Sequence, residues 1–160
     1  MSIGFEMASA NIASALLQEW ISAIESNDVD RITNLYRDDA FVIGYAGDPT
    51  FHTGLLIQNL YNRIIDFGKT KKITLLSQNP HIFGTVAVNS GHYIEQQEHH
   101  RDKNITAYFS FVYLEDDDGM WKIFSHHFSL VNFILNEFSA KELREMLDKK
   151  EKENYSQNMR

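Results

Sequence analysis

The stretch Trp121-Lys-Ile-Phe-Ser-His126-His127 sets two imidazoles side by side. Histidine is the side chain whose unperturbed pKa suits proton transfer near neutral pH. Adjacent residues of a regular strand point to opposite faces, so the pair cannot jointly hold one metal ion. With Lys122 turned outward, an unbulged strand places Trp121, Ile123, Ser125, His127 and Ser129 on the inner face. His127 is then the candidate catalytic residue, and His126, Phe124 and Phe128 fall on the outer face. In an earlier stretch Asn89, Gly91, Tyr93 and Glu95 share one face, while Val88, Ser90, His92 and Ile94 share the other. If the first set faces inward, Tyr93 and Glu95 meet His127 and supply a hydroxyl donor and an orienting carboxylate. The competing reading of His127 is a hydrogen-bonded core histidine.

Two further polar clusters read as surface. Glu98-His99-His100 with Asp102 matches no specific metal-ligand spacing and reads as a solvated hairpin loop. Asp116-Asp117-Asp118-Gly119 lacks the long spaced set of oxygen ligands of a calcium loop and reads as a turn with glycine at a positive φ. The chain has no cysteine, which excludes disulfides, thiolate nucleophiles and Cys-based metal sites. No metal or cofactor is implied.

Composition bounds the partners. The 160 residues suit one domain, 43% apolar and 23% charged, with a formal net charge of −7 and basic residues mostly scattered. No basic face is readable, so nucleic acid is not an expected partner. No apolar run approaches the roughly 20 residues needed to span a bilayer, and no secretory prefix opens the chain. No membrane association and a cytoplasmic location are therefore expected.

The elements that must position these residues follow from periodicity. Ala13, Leu16, Leu17, Trp20, Ile21 and Ile24 mark one face of a helix. Asp28 or Asp30 can cap a second, shorter helix carrying Val29, Ile32, Leu35 and Tyr36. Ala40 to Tyr45 reads as a strand. Thr53 is a candidate N-cap for a third helix with Leu56, Ile57, Leu60, Tyr61, Ile64 and Ile65, ending at Gly68. Four β-rich stretches follow, 71–77, 85–97, 105–115 and 121–131, with Asn79-Pro80 as a break. Short connections favour an antiparallel meander. Ser139-Ala-Lys-Glu142 has the form of a capping box for a C-terminal helix.

Several segments, in order, resemble a known superfamily. They are Trp20-Ile-Ser-Ala-Ile24, Asn27-Asp28, Leu35-Tyr36-Arg-Asp-Asp39-Ala40, Thr53-Gly54 with Ile57, and Ala87-Val-Asn-Ser-Gly91 with Tyr93. Thr106-Ala107 with Phe111-Val-Tyr113 and the closing strand Trp121–Ser129 complete them. The chain is similar to nuclear transport factor 2-like (SnoaL-like) domains, in particular a bacterial subgroup distantly similar to the association domain of calcium/calmodulin-dependent protein kinase II. The resemblance implies an α+β cystatin-like fold, a curved antiparallel sheet forming a cone with three helices from the N-terminal half on its concave face, to which the capping box adds a C-terminal helix. It implies a SnoaL-like domain over 10–135 and a homodimer through the sheet, while the helical extension with its frayed end over 136–160 is read from the capping box and the charged tail alone. His126, Phe124 and Phe128 would then face the dimer contact.

Departures from the subgroup shape the expected ligand. Tyr108 stands where an Arg is usual, and offers one hydroxyl and an aromatic face instead of an anion clamp. In the ketosteroid-isomerase branch the general base lies near the position of Gly44, which cannot take a proton, and the oxyanion-side Tyr corresponds to Trp20, which still donates a hydrogen bond. The reading these residues favour is a homodimeric domain whose aromatic-lined pocket, with Trp20, Tyr45, Tyr61, Tyr93, Glu95, Tyr108 and His127, binds a small apolar or aromatic molecule. Two alternatives stand beside it: an enzyme of acid–base isomerisation, dehydration or hydrolysis using His127, and a pure association module.

Overall fold

A computed structural model of the chain describes residues 3–44, 52–98 and 104–130, with side chains over 12–44, 53–98 and 104–130. Helix α1 (Ile3–Ser26) begins well before the apolar stripe that predicts it. Its residues Ala13, Leu17, Trp20, Ile21 and Ile24 are buried at helical spacing, against β3 (Thr70–Phe83) and β4 (Val86–Gln97). Asn27 takes a positive φ to end it, and the Asp28 side chain caps α2 (Val29–Thr33) by accepting from the Arg31 N–H. Helix α3 (Leu55–Phe67) packs against α2 through the face carrying Ile57, Leu60 and Tyr61.

The curved sheet runs in the order β2-β1-β6-β5-β4-β3, with β1 (Tyr36–Ile43), β2 (His52–Thr53), β5 (Asn104–Glu115) and β6 (Trp121–Leu130) completing it. Strands β3 to β6 form the expected antiparallel meander. Strand β1 joins the end of that meander by pairing in parallel with β6. The fold is the expected α+β one; the expected C-terminal helix and residues 136–160 lie outside the described residues.

Four local expectations need correction. Tyr36 is not on α2 but opens β1, four residues before the expected strand, because Asn34 closes α2 and the Ile123 N–H donates to the Leu35 carbonyl. Thr53 belongs to β2, and Gly54 stands at the start of α3 with no side-chain cap. Asn79-Pro80 does not interrupt β3. That strand lies on the sheet edge, where a proline leaves no required ladder bond unmade, and the hairpin turns instead at Gly84-Thr85. The expected turn at Asp116–Gly119 forms, with Gly119 at φ +79.

The fourth correction decides the site. The β5–β6 register shifts between Val112 and Tyr113: Tyr113 faces Ile123, yet Phe111 faces His126 and Phe109 faces Phe128. One extra residue on β6 therefore inverts its alternation after Ile123. His126 and Phe128 turn inward and are buried, and His127 turns outward and is exposed. This overturns the assignment of His127 to the inner face and of His126 and Phe128 to the outer one.

Beside β6, Gly44 holds φ +110, and a Cβ built on it would lie 1.8 Å from the Phe128 carbonyl oxygen. Replacing Gly44 by Ala should lower stability by about 2 kcal/mol or more, through backbone strain and overpacking together. Urea unfolding measures this, and an unchanged midpoint would contradict the close approach.

Candidate functional site

Helices α1 and α3 and the inner face of β3–β6 enclose a cavity of about 270 Å³. This lies near the lower end of ligand pockets, which run from about 300 Å³ upward. Its walls are mostly apolar or aromatic, and the chemistry is confined to a few polar groups, chiefly His126, Glu95 and Gln97.

His126 is 1% exposed and held on every side. As the direct cross-strand neighbour of Phe111 it stacks on that ring, 4.1 Å between centroids and 17° between planes. Trp20 meets it edge-on at 5.2 Å. Its Nδ1 lies 2.9 Å from the Tyr36 hydroxyl, and that hydroxyl lies 2.5 Å from the Tyr61 hydroxyl and accepts from Trp20 Nε1 at 3.2 Å. Burial pulls the His126 pKa down to about 3, with His127 beside it adding to the effect, so the ring is neutral at physiological pH. Burial likewise pushes the Tyr61 phenol up to about 12 and that of Tyr36 well above its ordinary value, so both keep their protons.

Counting those protons favours one tautomer. The Tyr36 oxygen already accepts from Trp20. If Tyr61 donates to Tyr36, and Tyr36 donates to Nδ1, every hydroxyl proton is used and the imidazole carries its own proton on Nε2. The reverse order leaves the Tyr61 proton with no acceptor in the triad. His126 lines the cavity, and its Nε2 is buried with no partner among the described residues. In that order His126 keeps one N–H without a protein acceptor among the described residues. With so low a pKa it is a poor proton carrier at neutral pH.

Glu95 supplies the other chemistry. Thr70 Oγ1 donates to its Oε1 at 2.6 Å and Gln97 Nε2 reaches the same oxygen at 3.5 Å, so neither bond uses Oε2. Thr70 is itself clamped by Asn27, whose side chain accepts from the Thr70 N–H at 2.9 Å and donates to its carbonyl at 2.8 Å. Burial raises the Glu95 pKa against these two bonds. Among the described residues no three His, Asp or Glu side chains converge to hold a metal.

Of the residues singled out from sequence, Trp20, Tyr61, Tyr93 and Glu95 line the cavity, and Tyr93 and Glu95 face inward. His127 does not line it, for the reason of the bulge, so Tyr93 and Glu95 share a wall with His126 instead. Tyr108 is 54% exposed on the outer face and packs against His92, because Ala107 and Phe109 take the inward positions of β5. Tyr45 lies outside the described residues. Sequence reading missed His126, Tyr36, Thr70 and Gln97 as parts of the site. Gly44 has its surroundings filled by β6 backbone, so a carboxylate has no room there.

Long-range nitrogen–proton NMR correlation should show His126 as the neutral Nε2–H tautomer at pH 7, still neutral at about pH 4. A proton on Nδ1 would refute the count. Because the folded pKa lies below the unfolded 6.5, the unfolded state takes up this proton first. Its effect on stability is therefore absent above pH 6.5, and stability is lost as pH falls from there toward 3. Urea unfolding across that range measures the loss.

Solved structures share the fold. A Xanthomonas campestris protein provisionally assigned as a calcium/calmodulin-dependent protein kinase II association domain superposes with a TM-score of 0.66 at 21% identity, over 76% of this chain and 86% of its own. A Parabacteroides distasonis protein provisionally assigned as a ketosteroid isomerase gives 0.64 at 20%, over 77% and 90%. A nuclear transport factor 2-like protein of Pseudomonas putida gives 0.69 at 15%, over 83% and 93%. No curated protein matches. Residues 13–132 match the family model for the SnoaL-like domain, and with the helices, meander and cavity placed as described, this chain belongs to the SnoaL-like domain family.

Proposed function

We propose that this domain binds a small, largely apolar molecule in its cavity and orients it by a hydrogen bond from His126 Nε2 to an oxygen acceptor. The observation that carries the reading is the unpartnered Nε2 on an apolar wall. A buried donor left unmade costs about 1–3 kcal/mol, and a ligand oxygen would recover much of that. Trp20, Tyr61 and Tyr93 supply rigid aromatic surface around it.

The outer face of the sheet supports a second part of the proposal, a homodimer. Ile94, Tyr108, Val112 and Phe124 set apolar side chains among the polar ones of that face, with Tyr108 the most exposed of them. His127 also lies there rather than in the cavity, so acid–base chemistry through His127 has no support from its position.

Calorimetric titration with acetophenone and with α-methylstyrene, which replaces the carbonyl by a methylene, tests the hydrogen bond. Acetophenone should bind up to about tenfold tighter. His126→Phe should erase that difference while hydrocarbon binding persists. Equal affinities in the unmodified protein would reject the reading. For the dimer, Tyr108→Glu should shift the sedimentation coefficient from dimer to monomer; a monomeric unmodified protein, or a variant that stays dimeric, would count against it.

A further inference from the structure

The Glu95 end of the cavity asks for something the protein itself does not provide. Its carboxylate is desolvated, and two donors converge on Oε1 alone, oriented through the Asn27 clamp on Thr70. Oε2 takes part in neither bond. Gln97 is 6% exposed and turns its amide nitrogen to the carboxylate, since a carboxylate only accepts. Its Oε1 therefore remains an acceptor, buried and without a partner among the described residues. No Lys or Arg is among the described lining residues, and no cation figures among the causes that set the Glu95 pKa. The cavity walls also include the rings of Tyr93, Tyr61 and Phe67.

A buried carboxyl group with one oxygen outside those bonds, in a cavity with aromatic walls and no lining Lys or Arg among the described residues, is a receptor for a compact cation, whose charge would hold the carboxyl ionised. We infer that the natural ligand is a small amine, whose protonated nitrogen is held by Glu95 Oε2 against the aromatic wall. This deepens the cavity reading above and rests on it: that reading supplies the apolar body and the oxygen, and this one supplies the charge.

Three probes with the same phenol body separate the two claims. They are tyramine, 4-ethylphenol and 3-(4-hydroxyphenyl)propanoate, which end in a cation, a neutral methyl and an anion. In the unmodified protein tyramine should bind about tenfold or more tighter than 4-ethylphenol, and the propanoate weakest of the three. Glu95→Gln should bring tyramine affinity down to that of 4-ethylphenol measured on the same variant. The comparison in the unmodified protein needs no variant, so it stands even if the Gln variant folds poorly.

If 4-ethylphenol binds and depends on His126, but tyramine holds no advantage, the amine inference is wrong and the cavity reading survives. An advantage that persists in Glu95→Gln overturns the role of this carboxylate. Failure of all three to bind overturns both.

Discussion

One phenolic oxygen ties the interior together. The Tyr36 hydroxyl meets the Trp20 indole from α1, the Tyr61 phenol from α3 and the His126 imidazole from β6, and its own ring comes from β1. Four elements far apart in sequence thus share one polar point inside an apolar core. Each partner is buried, so each would be costly to leave unpaired, and the network can be satisfied only when all four elements are docked. With Tyr61 donating to Tyr36 and Tyr36 to Nδ1, the imidazole's Nε2 is left without a partner among the described residues. The polar triad is therefore a structural lock on a ring that lines the cavity.

The bulge in β6 determines what that lock can hold. Ile123 and His126 both point inward, although they stand an odd three positions apart, because an extra residue is accommodated between the registers of β5 and β6. Without it Ser125 would oppose Phe111, and no imidazole nitrogen would reach Tyr36. The same irregularity sends His127 to the outer face, so one backbone feature assigns two adjacent imidazoles to two separate environments. Bulges redirect side chains in this way next to functional sites in many sheets. Here the ring chosen for the interior is stripped of water and stays neutral.

Much of this was legible in the residues, and the misses have physical causes. The helical stripes through Trp20 and Tyr61 are regular and long enough to identify, and the Asn89–Glu95 alternation gives the inner face of β4 correctly. The alternation on β6 is not readable in the same way. Phe124, His126 and Phe128 are bulky at one parity and Ile123 and His127 at the other, so no contrast of apolar against polar reveals where the phase changes. Tyr36 was hidden by its place at a helix–strand boundary, where Ile32 and Leu35 continue a helical spacing that Asn34 has already ended. Thr70 and Gln97 are polar residues with ordinary neighbours; only their shared approach to Glu95 marks them, and that approach is tertiary. Pro80 was misread because an edge strand tolerates what a central one does not.

The parallel pairing of β1 with β6 has a consequence for how the molecule comes into being. Tyr36 faces Ile123 in that ladder, so the contact joins the first strand to the last, with the whole meander between them. During synthesis β1 emerges early and cannot find its neighbour until nearly all of the described domain has been made. Hairpins of the meander close over short loops and can form as they appear, whereas the β1–β6 closure carries the largest loop entropy of any strand pairing in the sheet. The cavity is consequently the last part of the domain to be assembled. Until β6 arrives, Trp20, Tyr36 and Tyr61 form an aromatic surface without its capping strand, and the nascent chain must keep that surface from other partners.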